Sequence, residues 1–156
     1  MKVTIYSREE MEKRLQEGPL YDTAVISFFD PPSPRTPKDY VPLNYGNQCS
    51  AVFPVAAFDI DLETLPEFDL TFDTYFPEAK QLALFIKTAV ACNLNIICQC
   101  EYGQSRSAAC AAAIKEYYEH DGISIFADYR YYPNQLIFNK LLDALKTVNN
   151  AVDCGI

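Results

Sequence analysis

Histidine is almost missing from this chain: there is one among 156 residues, His120, and no C-x2-C pair occurs. A closed zinc site wants four matched ligands, so Cys98 and Cys100 would need two more partners, and no metal or other cofactor is expected. His120 falls at the expected end of a helix, where a cation suits the dipole. No stretch approaches the ~20 consecutive apolar residues that a membrane-spanning helix needs. The opening Met1-Lys2-Val3-Thr4-Ile5 moves straight into a strand pattern, without the apolar core of a secretory signal. Basic residues are few, 13 against 21 acidic, giving a net charge of −8. Such a surface repels nucleic acid and anionic lipid, although it permits one local positive pocket. The six cysteines, at 49, 92, 98, 100, 110 and 154, follow no regular disulfide framework. That usage fits a reducing, cytoplasmic setting. Internal repeats, domain linkers and low-complexity tracts are also missing.

What is present is a globular composition, 49% hydrophobic and 22% charged, in a chain long enough for a real core. Residues 2–6 read as a strand, and Ser7-Arg8-Glu9-Glu10 as a capping box opening a helix to about Gln16, ended by Gly18-Pro19. Residues 23–28 are an apolar run predicted as a buried strand. Residues 30–48 hold five prolines and are expected to form a stiff surface loop. A strand over 51–58 carries Pro54, which favours an edge or a bulge. An acidic loop from Asp59 to about Asp73 follows. Phe76 to Ala91 reads as a helix, with Pro77 in its first turn and Ala79, Leu82, Ala83 and Ile86 on one face.

Leu94 to Gln99 is then the central strand, and Arg106 to about Glu119 a helix whose small residues pack close against the sheet. Residues 124–130 read as a short helix. Asn134 to about Val148 reads as an amphipathic helix with Leu136, Ile137, Leu141, Leu142 and Leu145 inward. Residues 1–150 are expected to form one domain and 151–156 a loose tail. Strands alternating with helices argue for an α/β fold, a central, mostly parallel sheet with helices on both faces.

The informative segment runs from Ile96 to Ser107. A short apolar strand ends at Cys100, and Arg106 opens a helix after Glu101, Tyr102, Gly103, Gln104 and Ser105. A turn placed there can aim successive backbone N–H groups at one point, and the helix N-terminus adds partial positive charge. A cysteine in such a nest is favoured as the nucleophilic thiolate. Arginine supplies a planar fork for two phosphate oxygens, which lysine does not imitate. Glycine permits a sharp turn, and the small hydroxyls of Ser105 and Ser107 can hydrogen-bond sulfur or phosphate oxygen. The order of these residues is suited to holding a phosphate dianion beside a nucleophile.

Gln99 to Ser107 resembles the phosphate-binding loop of the cysteine-dependent protein tyrosine phosphatases, in the compact dual-specificity branch, whose signature is H-C-x5-R-[S/T]. Cys100, Arg106 and Ser107 fall on its cysteine, arginine and hydroxyl positions. Tyr132-Pro133-Asn134, followed by Ile137 and Leu141, resembles the Pro-Asn helix start downstream of that loop in the same branch. The similarity covers roughly residues 50 to 145. One departure stands out: Gln99 occupies the place of the signature histidine, which in the family orients the loop. Glutamine can donate and accept hydrogen bonds but carries no charge.

The resemblance implies a phosphatase-like fold and a metal-free phosphomonoester hydrolase with a cysteinyl-phosphate intermediate. In it Cys100 is the nucleophile, Glu101 to Arg106 hold the phosphate, and Ser107 hydrogen-bonds the sulfur. Phosphotyrosine proteins are the implied substrates, with phosphoserine and phosphothreonine tolerated. The family also uses an aspartate on an upstream loop as general acid. Asp59, Asp61, Asp69 and Asp73 are candidates; Asp61 is favoured and Asp59 next, because both directly follow the 51–58 strand, whereas Asp69 and Asp73 sit where a helix entrance attracts aspartate for capping. Asn134 is expected to brace the loop, to cap its own helix, or both. Two competing readings carry discriminating features. A phosphopeptide-binding module without turnover would follow from Gln99 and a missing acid. A polyphosphorylated ligand is disfavoured by Glu101 and by the lack of lysine within the loop.

Overall fold

Side chains alternate across a strand, and here the alternation on two central strands divides the core in two. Ala24, Ile26 and Phe28 of one strand, with Ile96 and Cys98 of its neighbour, face one side; Val25 and Ile97 face the other. In the computed structural model, which describes residues 1–149, these strands belong to a four-stranded sheet. Its members are β1 (Val3–Tyr6), β2 (Leu20–Phe29), β3 (Cys49–Ala56) and β4 (Asn95–Gln99), in the order β1-β4-β2-β3. Every neighbouring pair is parallel. Strands buried on both faces read as continuous apolar runs, which is why β2 and β4 are so legible. β3 is an edge strand, so Pro54 costs no ladder bond to a further neighbour.

The larger face is covered by α2 (Ala79–Ala91), α3 (Arg106–Glu119) and α5 (Gln135–Thr147), with the single turn α4 (Ile123–Phe126) beside them. Between Ala108 and Ala113 every residue of α3 is buried, so small side chains are what let this helix lie in the middle of the core. The opposite face is covered more thinly. Met11 and Leu15 of α1 (Arg8–Gln16) pack there with Tyr45 from the proline-rich loop. Ser7 caps α1 through the expected reciprocal bonds with Glu10. His120 caps the C-terminus of α3 in the left-handed conformation, φ 55°.

β2 and β3 each begin earlier than the sequence reading placed them, and three further differences have a local cause. α2 starts at Ala79 rather than Phe76, because Phe76 is itself left-handed (φ 51°) and directs its ring into the core. α4 stops at Phe126, where Asp128 folds back onto Arg130. The acidic loop contains an unexpected 3₁₀ turn at Leu65–Phe68, with Pro66 at its second position and buried Leu65 as its anchor. The expected tail, 151–156, lies outside the described residues. No helix of the described residues is long and apolar enough to cross a membrane. Parallel pairing brings the C-terminal ends of all four strands to one edge of the sheet, so the segments after Tyr6, Phe29, Ala56 and Gln99 converge there. In open α/β sheets that edge is where ligands bind.

Candidate active site

The segment Glu101–Ser105 is held in place by its carbonyl groups. The Arg8 N–H donates to the Glu101 carbonyl (3.1 Å), the Tyr132 N–H to that of Gln104 (2.8 Å), and the Asn134 N–H to that of Ser105 (3.1 Å). The backbone N–H groups from Glu101 to Arg106 bond to no other described residue. A loop with its acceptors tied outward and its donors unspent is an anion nest, and α3 adds its N-terminal dipole at the same point. Gly103 shows why only glycine fits. Its φ is +68°, and an added Cβ would lie 2.6 Å from the Ser7 nitrogen, against the β1–α1 turn. The close approach that requires glycine is therefore to the protein's own backbone.

Cys100 is buried to 2% exposure at the base of this loop, its sulfur 3.0 Å from the Ser107 hydroxyl. Arg106 opens α3 and is also buried. Its Nη1 donates to the Asp30 carboxylate (2.7 Å) and to the Ala57 carbonyl (2.8 Å). The structure thus brings Cys100 and Ser107 into contact, with Arg106 at the far end of the loop between them. Tyr102 and Gln104 point outward, Tyr102 with 78% of its surface exposed. Cys98 and Cys110, both fully buried in the core, lie behind the loop; burial, and next the neighbouring Cys98, push the Cys110 thiol pKa well up.

Gln99 is bonded at both ends of its amide. Its Oε1 accepts from the hydroxyls of Ser27 (2.6 Å) and Tyr45 (2.7 Å), and its Nε2 donates to the Cys100 carbonyl (3.0 Å). Burial pushes the Tyr45 pKa up, so its phenol stays a neutral donor. An uncharged amide, fixed by two donors, holds the backbone of Cys100 from below. Nothing in this support titrates near neutrality.

Among the four candidate aspartates, the structure brings Asp59 to the loop. Its Oδ1 accepts from the Ser105 hydroxyl (2.7 Å) and from Asn134 Nδ2 (2.9 Å). Oδ2 bonds to no other described residue. The segment around it is fastened by Asn134, which also donates to the Ile60 carbonyl (3.0 Å), and by Tyr75, whose hydroxyl donates to the Phe58 carbonyl (2.6 Å). Asp61, the favoured candidate from sequence, is committed elsewhere. Its Oδ1 accepts from both the hydroxyl (2.6 Å) and the N–H (2.9 Å) of Thr64, bonds that hold its pKa below the usual carboxylate range, the hydroxyl's first. Asp61 therefore caps a turn. Asp69 ends the 3₁₀ turn in a left-handed conformation and Asp73 is exposed. Asn134 plays both expected roles, since its Oδ1 also caps α5 at Ile137 (2.9 Å).

A groove of about 650 Å³ opens beside the loop, lined by Asp59, Asp61, Leu62, Phe72, Ser105 and Asn134 among others. Asp30 and Tyr45 are the members that sequence reasoning missed. Asp30 follows directly on the apolar run of β2, the one position in the proline-rich segment that the sheet edge must deliver, and that adjacency was the available signal.

No family model and no curated protein matches this chain. Solved structures do. Human DUSP28 shares 17% identity over 92% of this chain and 91% of that one, with a TM-score of 0.51. Tk-PTP in its active form shares 13% over 94% and 91%, with a TM-score of 0.48. The human tyrosine phosphatase-like serine/threonine/tyrosine-interacting protein shares 14% over 88% and 83%, with a TM-score of 0.47. Identity at this level speaks for architecture alone, and the likeness to human DUSP28 shows that the chain has a fold like that of the dual-specificity phosphatases.

Proposed function

We propose that the protein hydrolyses phosphomonoesters through a cysteinyl-phosphate intermediate, acting on phosphotyrosine proteins and tolerating phosphoserine and phosphothreonine. The observation that carries this reading is the convergence at Cys100. The Cys100 sulfur sits 3.0 Å from the Ser107 hydroxyl, at the base of a loop whose N–H groups bond to no other described residue and which runs into the buried Arg106. In the first step the Cys100 thiolate attacks phosphorus while the loop N–H groups and Arg106 take up charge on the non-bridging oxygens. The leaving oxygen needs a proton, and Asp59 is the carboxyl group that the loop holds nearby. In the second step water attacks the phosphocysteine, Asp59 accepts its proton, and the Ser107 hydroxyl stabilises the departing thiolate.

The preference for phosphotyrosine and the tolerance of phosphoserine and phosphothreonine are carried over from the resemblance of the Gln99–Ser107 loop to the dual-specificity branch. We also place the whole of residues 1–150 in this one catalytic domain and the protein in the cytoplasm. Hydrolysis of a generic aryl phosphate by wild type and by Cys100→Ser, with a chelator present, tests the reading. Turnover that survives chelation and is abolished by the substitution is expected. Phosphate binding by both forms without turnover by either would identify a phosphopeptide-binding module instead.

A further inference from the structure

Among the described residues of the site, Arg106 is a buried cation, at 5% exposure, and its burial demands a partner before substrate arrives. A guanidinium has five N–H donors, and leaving it in a desolvated pocket without a counter-charge is costly. Asp59 does not serve, because its carboxylate is turned to Ser105 and Asn134. The partner is Asp30, 76 residues away in sequence, at 2.7 Å. Both acceptors on Arg106, Asp30 Oδ1 and the Ala57 carbonyl, bond the same nitrogen, Nη1. They come from the ends of two paired strands: Asp30 follows Phe29, Ala57 follows Ala56, and Phe29 and Ala56 are register partners. The Ala57 N–H continues that ladder to the Phe29 carbonyl (3.1 Å).

Two acceptors on one nitrogen, both fixed to a sheet edge, set the plane of the guanidinium as well as its position. They leave Nε and Nη2, which bond to no other described residue, as a parallel pair of donors suited to two phosphate oxygens. Asp30 is held in turn. Its N–H donates to the Tyr40 hydroxyl (3.3 Å), and burial, the largest cause, with the charges of Asp30 and Glu101, raises the Tyr40 pKa, so the phenol stays protonated.

We propose that Asp30 is the positioning residue for the phosphate fork of this site, acting through Nη1 of Arg106 to present Nε and Nη2 to the substrate. The assignment rests on the phosphatase reading for its consequence, though not for its geometry. Removing the carboxylate frees the guanidinium to turn. It also removes a negative charge from the neighbourhood of a phosphate dianion, so ground-state binding and turnover should part company.

The test uses Asp30→Ala, with Asp30→Glu as the conservative variant. The Arg106 Nε–H resonance, identified by its loss in Arg106→Lys, reports on the unliganded protein. Inorganic phosphate binding is followed by calorimetry, and aryl phosphate turnover by kcat/KM. Asp30→Ala should speed exchange of the Nε–H with water and lower kcat/KM by about 10²-fold, the cost typical of a misplaced catalytic group. Phosphate affinity should be unchanged or tighter, and Asp30→Glu should restore part of the loss. Unaltered Nε–H exchange in Asp30→Ala would overturn the proposal. So would phosphate affinity and kcat/KM falling in equal proportion together with the thermal midpoint, because that pattern belongs to a structural pin. If wild type binds phosphate without turning over any ester, the hydrolase reading fails alone, and the exchange measurement still decides the role of Asp30.

Discussion

Replacing Asp59 by asparagine should separate the proton donor from the phosphate-binding machinery. The substitution is nearly isosteric. Asparagine still offers an oxygen to the Ser105 hydroxyl and to Asn134 Nδ2, now at 2.7 and 2.9 Å from the carboxylate. The change is therefore expected to cost no more than ~0.5–1 kcal/mol of stability, within the range of partly exposed polar substitutions. Only the ability to deliver a proton from Oδ2 is lost. General acid catalysis is worth about 10²–10⁴-fold, and its worth depends on how badly the leaving group needs the proton. Hydrolysis of a phosphotyrosine peptide should accordingly fall by ~10²–10³-fold, and that of an aryl phosphate with an acidic phenol by less than ~10-fold. Asp61→Asn should change neither ester by more than about twofold, because the Asp61 carboxylate serves Thr64 in a solvent-exposed turn. The assay is steady-state kinetics on both esters for the two variants. Equal losses on the two esters in Asp59→Asn, or leaving-group dependence in Asp61→Asn, would refute the reasoning.

Three other outcomes follow from particular contacts. Arg106→Lys exchanges a planar fork for a point charge and should lower kcat/KM by about 10³-fold, or ~4 kcal/mol of transition-state stabilisation; a loss under tenfold would make Arg106 a mere helix-start charge. Gly103→Ala places a Cβ 2.6 Å from the Ser7 backbone at φ +68°, so the loop must shift; a destabilisation of about 1–3 kcal/mol is expected in urea titrations, with most activity lost, and a neutral result would contradict the contact. Tyr45→Phe removes one of two donors to Gln99 Oε1 and should cost ~1 kcal/mol of stability while lowering kcat/KM, and unchanged values would mean that Ser27 alone holds the amide.

The parts of the site that were legible in the sequence are those built from neighbours. The capping box at Ser7, the buried run of β2, the edge position of Pro54, and the start of α3 at Arg106 all follow from local patterns, and the structure contains each of them. The loop itself is one contiguous stretch, so Cys100 and Arg106 stood out from spacing as its candidate residues. What sequence did not reveal depends on contacts that local pattern cannot encode. Gln99 looks like a weakening of the loop until Tyr45, 54 residues away, closes the network beneath it. Asp30 looks like a loop charge until pairing of β2 and β3 carries it to Arg106. The choice between Asp59 and Asp61 turned on which carboxylate the chain spends on its own turn, a matter of two hydrogen bonds from Thr64. The delayed start of α2 has the same origin, since burying Phe76 in the core overrode the helical pattern around Pro77.

The most direct test of the central claim is to trap the intermediate. Asp59→Asn, which retains the nucleophile while slowing hydrolysis of the phosphoenzyme, should be mixed with an activated aryl phosphate, quenched in acid within the first turnovers, digested and weighed by mass spectrometry. The account predicts one acid-stable phosphoryl group on the peptide carrying Cys100, absent in the same experiment with Asp59→Asn combined with Cys100→Ser. Turnover without any phosphorylated Cys100, or a phosphoryl group on another residue, would contradict it.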